Sequence, residues 1–217
     1  MFYNPYYTSY NYQIAQPVQS YIRILHASPD APAVDIYAND KLIARNLSYK
    51  GFTPYVTVTP GSYNIKVYPT GRKDNAVLTT DLNIPPYSIY TVAAVNKLAN
   101  LNLLPIREPT MPIPAGKVYV RFAHLSPNAP NVDVVLPNGT KLFNNVTYKQ
   151  VTDYIPVNPG TYAIYVRPTG TDQNVLYVPN ITLQPNRFYT VYAVGLVDGT
   201  PPLQALIPLD GNSYIKF

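Results

Sequence analysis

The chain has 217 residues, a net charge of +5, 24 prolines, 22 tyrosines, no tryptophan and no cysteine. Charged residues make up only 12%, about half the usual ~25%. Without cysteine there are no disulfides, thiolate metal sites or cysteine nucleophiles. The basic residues are dispersed: the densest spot, Arg72-Lys73, is followed at once by Asp74. A nucleic-acid binder gathers its charge into a patch or stripe, so that class is set aside.

Residues Met1 to Ile22 carry no charge, and Tyr3, Tyr6, Tyr7, Tyr10 and Tyr12 crowd into ten positions. The stretch has neither the basic start nor the continuous apolar run of a secretory signal. No apolar run approaches the ~20 residues of a membrane span. The segment reads as an extended or disordered arm, sticky because it is uncharged and aromatic. It is suited to docking on a neighbour by adding a strand to an open sheet edge.

After the arm, Tyr21–Asp35 reads YIRILHASPDAPAVD, and Tyr119–Asp133 repeats it as YVRFAHLSPNAPNVD. The match continues from Leu47–Gly71 to Val146–Gly170, then from Tyr90-Thr91-Val92 to Tyr189-Thr190-Val191. Two copies of one domain follow, over 21–107 and 117–209. The Pro-rich linker 108–116 suits a semi-rigid spacer, and a tail or strand, 210–217, closes the chain.

Within copy one, strands are expected at Ile22–His26, Ala33–Tyr37, Lys41–Asn46, Pro54–Thr59, Tyr63–Tyr68, Val77–Ile84, Ser88–Val95 and Leu101–Ile106. Period-2 alternation and Pro-Gly turns support them. The fold class is all-β: two tandem immunoglobulin-like or transthyretin-like sandwiches of seven or eight strands each.

The run His26-Ala27-Ser28-Pro29-Asp30-Ala31-Pro32-Ala33-Val34-Asp35, with the later Pro60-Gly61-Ser62-Tyr63, resembles the family catalogued as domain of unknown function 4397. Copy two departs where Asn128 replaces Asp30. The resemblance implies a sandwich module of bacterial surface and secreted proteins, often in tandem, and no activity.

Chemistry-bearing residues are sparse. Each copy has a single histidine, His26 or His124, on the apolar face of its strand, too few ligands for zinc. Both read as buried, hydrogen-bonded structural residues. Arg23 with Asp35, and Arg121 with Asp133, are expected to form cross-strand salt bridges if their strands are neighbours. No nucleophile elbow, phosphate loop or His-Glu-x-x-His motif is present, so no catalytic, metal or cofactor site is assigned. The sequons at Asn46, Asn138, Asn145 and Asn180 are no more than an Asn- and Thr-rich chain produces by chance.

The reading that emerges is a structural subunit of a bacterial surface layer, appendage, filament or spore coat. It would polymerise with itself through the arm and lie on the cell or spore surface. A module binding cell-wall glycan through tyrosine platforms is the alternative.

Overall fold

The computed structural model describes residues 17–217. The first copy contains β1 (Ser20–His26), β2 (Val34–Ala38), β3 (Lys41–Leu47), β4 (Val56–Val58), β5 (Gly61–Pro69), β6 (Leu78–Ile84), β7 (Ile89–Val95) and β8 (Asn102–Arg107). The second contains β9 (Val118–His124), β10 (Val132–Val135), β11 (Lys141–Val146), β12 (Ile155–Val157), β13 (Gly160–Pro168), β14 (Leu176–Leu183), β15 (Phe188–Val194) and β16 (Gln204–Leu206). All eight strands expected in copy one are present, and each copy is a sandwich of two four-stranded sheets.

In copy one the sheets run β4-β1-β7-β8 and β3-β2-β5-β6, and copy two repeats both orders. β1 pairs with β7 in parallel, as β9 does with β15, while the other pairings are antiparallel. Parallel neighbours are normally buried on both faces, and that holds here. Ile22 and Ile24 point into the first sandwich, against Val34, Ile36, Ile65 and Val67. Leu25 and Ala27 point the other way, into a separate apolar layer shared with Ala123, Leu125, Tyr192 and Val194 of copy two.

The two sandwiches therefore stack through their β1- and β9-containing sheets, making four layers and three apolar cores. Volumes in the middle layer are complementary. Leu25 and Ala27 of copy one correspond to Ala123 and Leu125 of copy two, so large and small exchange places. Tyr192 packs its ring against Phe52 at 5.9 Å, where the equivalent positions carry Ala93 and Val151. Close packing tolerates such compensated swaps and little else.

The tail adds no strand of its own. Gly211–Ser213 form a single 3-10 turn, and the segment folds back onto copy one. There the Tyr55 ring lies 6.2 Å from that of Tyr214, and Tyr21 and Tyr87 each lie 5.8 Å from Phe217. The stretch read as a tail or strand, 210–217, thus lies against copy one, with Tyr214 and Phe217 still 52% exposed.

Truncating the middle layer tests whether the copies form one cooperative unit. Leu25→Ala or Leu125→Ala, both fully buried, is expected to cost about 2–5 kcal/mol. Urea unfolding should remain a single transition, and two separated transitions in the native protein would show the copies to be independent.

Candidate functional site

The face of β1 that carries Leu25 also carries Arg23, and there the stack contains its ionised groups. Register sets Arg23 opposite Thr91 on β7 and Arg121 opposite Thr190 on β15. Each guanidinium donates through Nε to its threonine Oγ1 at 2.8 Å. Each threonine hydroxyl donates onward to the carboxylate that follows its copy's last strand: Thr91 to Glu108, and Thr190 to Asp210. A tyrosine completes each half, Tyr55 donating to Glu108 at 2.6 Å and Tyr154 to Asp210 at 2.7 Å.

The halves exchange contacts across the copies. Arg23 donates to the Leu209 carbonyl and, at 2.9 Å, to the Asp210 carboxylate. Arg121 donates to the Arg107 carbonyl at 2.7 Å. The Gly211 N–H donates to Glu108 Oε2 at 2.7 Å. Arg23 lies between the Phe52 and Tyr55 rings, 4.9 and 4.7 Å from their centroids, and Arg121 lies 4.4 Å from the Tyr154 centroid. The halves are not identical: the second terminal nitrogen of Arg121 is buried and has no hydrogen-bond partner among the described residues.

All four ions are almost wholly out of water: Arg23 and Arg121 are 5% and 4% exposed, Glu108 and Asp210 1% and 0%. Burial, then the neighbouring Glu108 charge, pushes the Asp210 carboxyl up to about 6, against the opposing pull of Arg121 and Arg23. Burial alone would lower the Arg23 pKa, but the acidic groups around it, Tyr192 and Tyr55 before Glu108 and Asp210, raise it. Burial first and the carboxylates second raise the Tyr55 and Tyr154 phenols. Glu108, Asp210, Tyr55 and Tyr154 are thus each hydrogen-bonded within the cluster, and its cross-copy bonds clamp the two copies together.

The expected pairing of Arg23 with Asp35 and of Arg121 with Asp133 is corrected: β1 and β2 belong to different sheets, as do β9 and β10. Asp35 instead accepts from the Asn46 and Gly71 N–H groups, and the Asn46 bond, the largest influence, helps hold it below the usual carboxylate range. Burial would raise Asp133, but Lys141 at 2.6 Å and the Asn145 N–H outweigh it. His26 and His124 each place Nε2 3.0 Å from a proline carbonyl, Pro32 or Pro130, closing the bend after the first strand. Burial lowers both histidine pKa values.

Among the described residues, no group of three or more His, Cys, Asp or Glu is placed to hold a metal ion. Tyr3, Tyr6, Tyr7, Tyr10 and Tyr12 lie outside the described residues. Sequence reasoning missed Tyr55, Thr91, Glu108, Tyr154, Thr190 and Asp210. The available signal was repetition, since an acid closes the last strand of each copy in PIRE and IPLD.

Two predictions follow from the geometry. Arg23→Met leaves Asp210 with a buried, unpaired charge and is expected to cost about 3–5 kcal/mol in urea unfolding. The ionisable groups also oppose one another with pH. Neutral buried histidines bind fewer protons folded than unfolded, so stability falls as pH drops below ~6.5. Asp210 binds its proton more readily folded, so its contribution grows as pH falls toward ~4. His26→Gln should flatten the acid-side loss of stability, and Asp210→Asn should steepen it. Shifts of the same sign in both variants would refute the assignment.

Comparison with curated protein sequences finds no match. Among solved structures the fold is similar to the Bacillus anthracis TIE protein, at 12% identity and TM-score 0.26, over 83% of this chain and 34% of that one. The chain therefore spans about a third of that protein's length. It is also similar to a streptococcal virulence factor described as binding alpha-glucan, at 12% identity and TM-score 0.24, over 91% of this chain and 100% of that one. A third likeness is to a putative cell adhesion protein of Parabacteroides distasonis, at 8% identity and TM-score 0.20, over 88% and 98% of the two chains. A family model matches twice in succession, over residues 20–135 and 134–214, and by that match the chain belongs to the family described as Domain of unknown function (DUF4397).

Proposed function

We propose that this chain is a non-enzymatic structural subunit of a bacterial surface assembly (a filament, appendage, spore coat or surface layer), joined to its neighbours by strand addition through the N-terminal arm. The observation that carries this reading is where the arm departs. Pro17, Val18 and Gln19 run beside Thr57–Pro60, next to the edge strand β4. Unpaired strand edges are templates for another chain. An extended arm of 16 residues reaches at most about 55 Å, enough to leave its own domain.

The rest of the molecule suits that role. The clamp makes the two sandwiches one body, as a load-transmitting subunit requires. A contact between unlike surfaces that does not close into a ring generates a filament. Surface location, spore association and self-assembly all belong to this proposal.

One feature favours the glycan-binding alternative: Tyr165 and Tyr177 stack at 4.9 Å on the second copy, with Tyr177 53% exposed and Arg167 beside Tyr165. Removal of residues 1–16 separates the two readings. Assembly predicts polymers of the full chain under the electron microscope, and single subunits with an unchanged unfolding midpoint after truncation. Polymers that persist in the truncated chain contradict it. A full chain that stays single, yet is retained on cell-wall glycan through Tyr177, replaces it.

A further inference from the structure

The two copies differ in how well the space between their sheets is filled. In copy two only about 30 Å³ remains beside β11 and β12. Phe122 and Phe143 are among the residues lining it, their rings 6.3 Å apart. In copy one a cleft of about 370 Å³ opens between β3 and β4. Its walls are apolar, including Ile43, Val58, Ile65 and Leu82, while Lys41 and Thr57 are among its polar lining residues. A dry apolar cavity of about 150 Å³ holds a benzene ring, so this cleft has room for two aromatic side chains.

We infer that this cleft of copy one is the receiving site for the arm of a second copy of the chain, with arm tyrosines filling the space between its sheets. The inference rests on the arm-mediated assembly proposed above and specifies its acceptor. The arm sequence matches the site. In Tyr10-Asn11-Tyr12-Gln13-Ile14 the apolar and polar residues alternate. Such a strand delivers every second side chain to one face. Laid along the open edge between β3 and β4, it sends Tyr10, Tyr12 and Ile14 between the sheets and keeps Asn11 and Gln13 outward. No charge is buried, because the arm has none.

The direction of departure selects a neighbour over the arm's own domain. β1 is antiparallel to β4, with Ser20 opposite Val58, so the chain traced back from Ser20 to Pro17 passes the end of β4 toward Pro60. Entering its own cleft with Tyr10–Ile14 would need the chain to turn back on itself within the two residues that separate Ile14 from Pro17.

The absence of cysteine makes a direct test clean. Val56→Cys, on the inward face of β4 at the cleft, is combined, in three full-length proteins, with Tyr10→Cys, Tyr12→Cys or Ile14→Cys, and each is oxidised under assembly conditions. At least one pair is expected to give a ladder of covalent oligomers on a non-reducing gel. Adding Ala38→Phe, at a small residue that lines the cleft, should abolish that ladder. Because that variant can disturb folding, the ladder of the cysteine pairs is read independently of it. Polymers under the microscope without a ladder from any pair overturn the cleft as acceptor while leaving assembly intact. Disulfides formed only within single chains, or a ladder unchanged in a folded Ala38→Phe protein, also overturn it. No polymers from the full chain overturn both readings.

Discussion

Two arginines that each bind their own copy's threonine and reach across to the other copy's last strand decide what kind of molecule this is. Taking four ions out of water is costly, and such a cluster persists only when its hydrogen bonds are nearly all made. Here the threonines and tyrosines meet that demand from within each copy, and the Leu209 and Arg107 carbonyls meet it from the other. The contacts to Leu209, Asp210 and Arg107 need both copies. A chain that reads as two beads on a linker is thereby a single four-layered body, and its buried charge fixes how the layers face.

The repeat has diverged in ways that make sense only for that body. Leu and Ala trade places between positions 25 and 123 and between 27 and 125, and a tyrosine at 192 meets a phenylalanine at 52. These substitutions keep the middle layer filled while making its halves unlike. The outer cores diverged differently. Copy two carries Phe122 and Phe143 in its core and has little space left, whereas copy one is open between β3 and β4. The chain thus pairs a closed domain with an open one, and the open one sits next to the uncharged arm. That asymmetry is the physical basis of the assembly reading, since a subunit that both offers and accepts a strand joins head to tail.

Most of the fold was legible in the sequence because it rests on local rules. Alternation marked Ile22, Ile24 and their counterparts as core, Pro-Gly marked the hairpins, and the repeat set the number of sandwiches. The clamp was only half legible. Alternation put Arg23 on the face opposite Ile22 correctly, but one strand's periodicity does not say whether that face meets water or another sheet. The sparse charge led to Asp35 as the nearest partner in the motif, although Asp35 lies in the opposite sheet and is consumed by backbone N–H groups. Glu108 stood in a Pro-rich stretch read as spacer, and Asp210 headed a stretch read as tail. Both are linked to Arg23 only through the stacking of whole sandwiches, which no local pattern encodes. Similarly, the cleft lies between edge strands of two different sheets, a juxtaposition that no single strand's pattern encodes.

Coupling between Arg23 and Asp210 is the most direct measure of whether the buried cluster joins the two copies. A double-mutant cycle with Arg23→Met and Asp210→Asn, read by urea unfolding at neutral pH, isolates that pair. The clamp predicts a coupling energy of about 2 kcal/mol, within the range seen for contacting charged residues. Additive effects, agreeing to within about 0.5 kcal/mol, would mean that the two copies merely lie side by side.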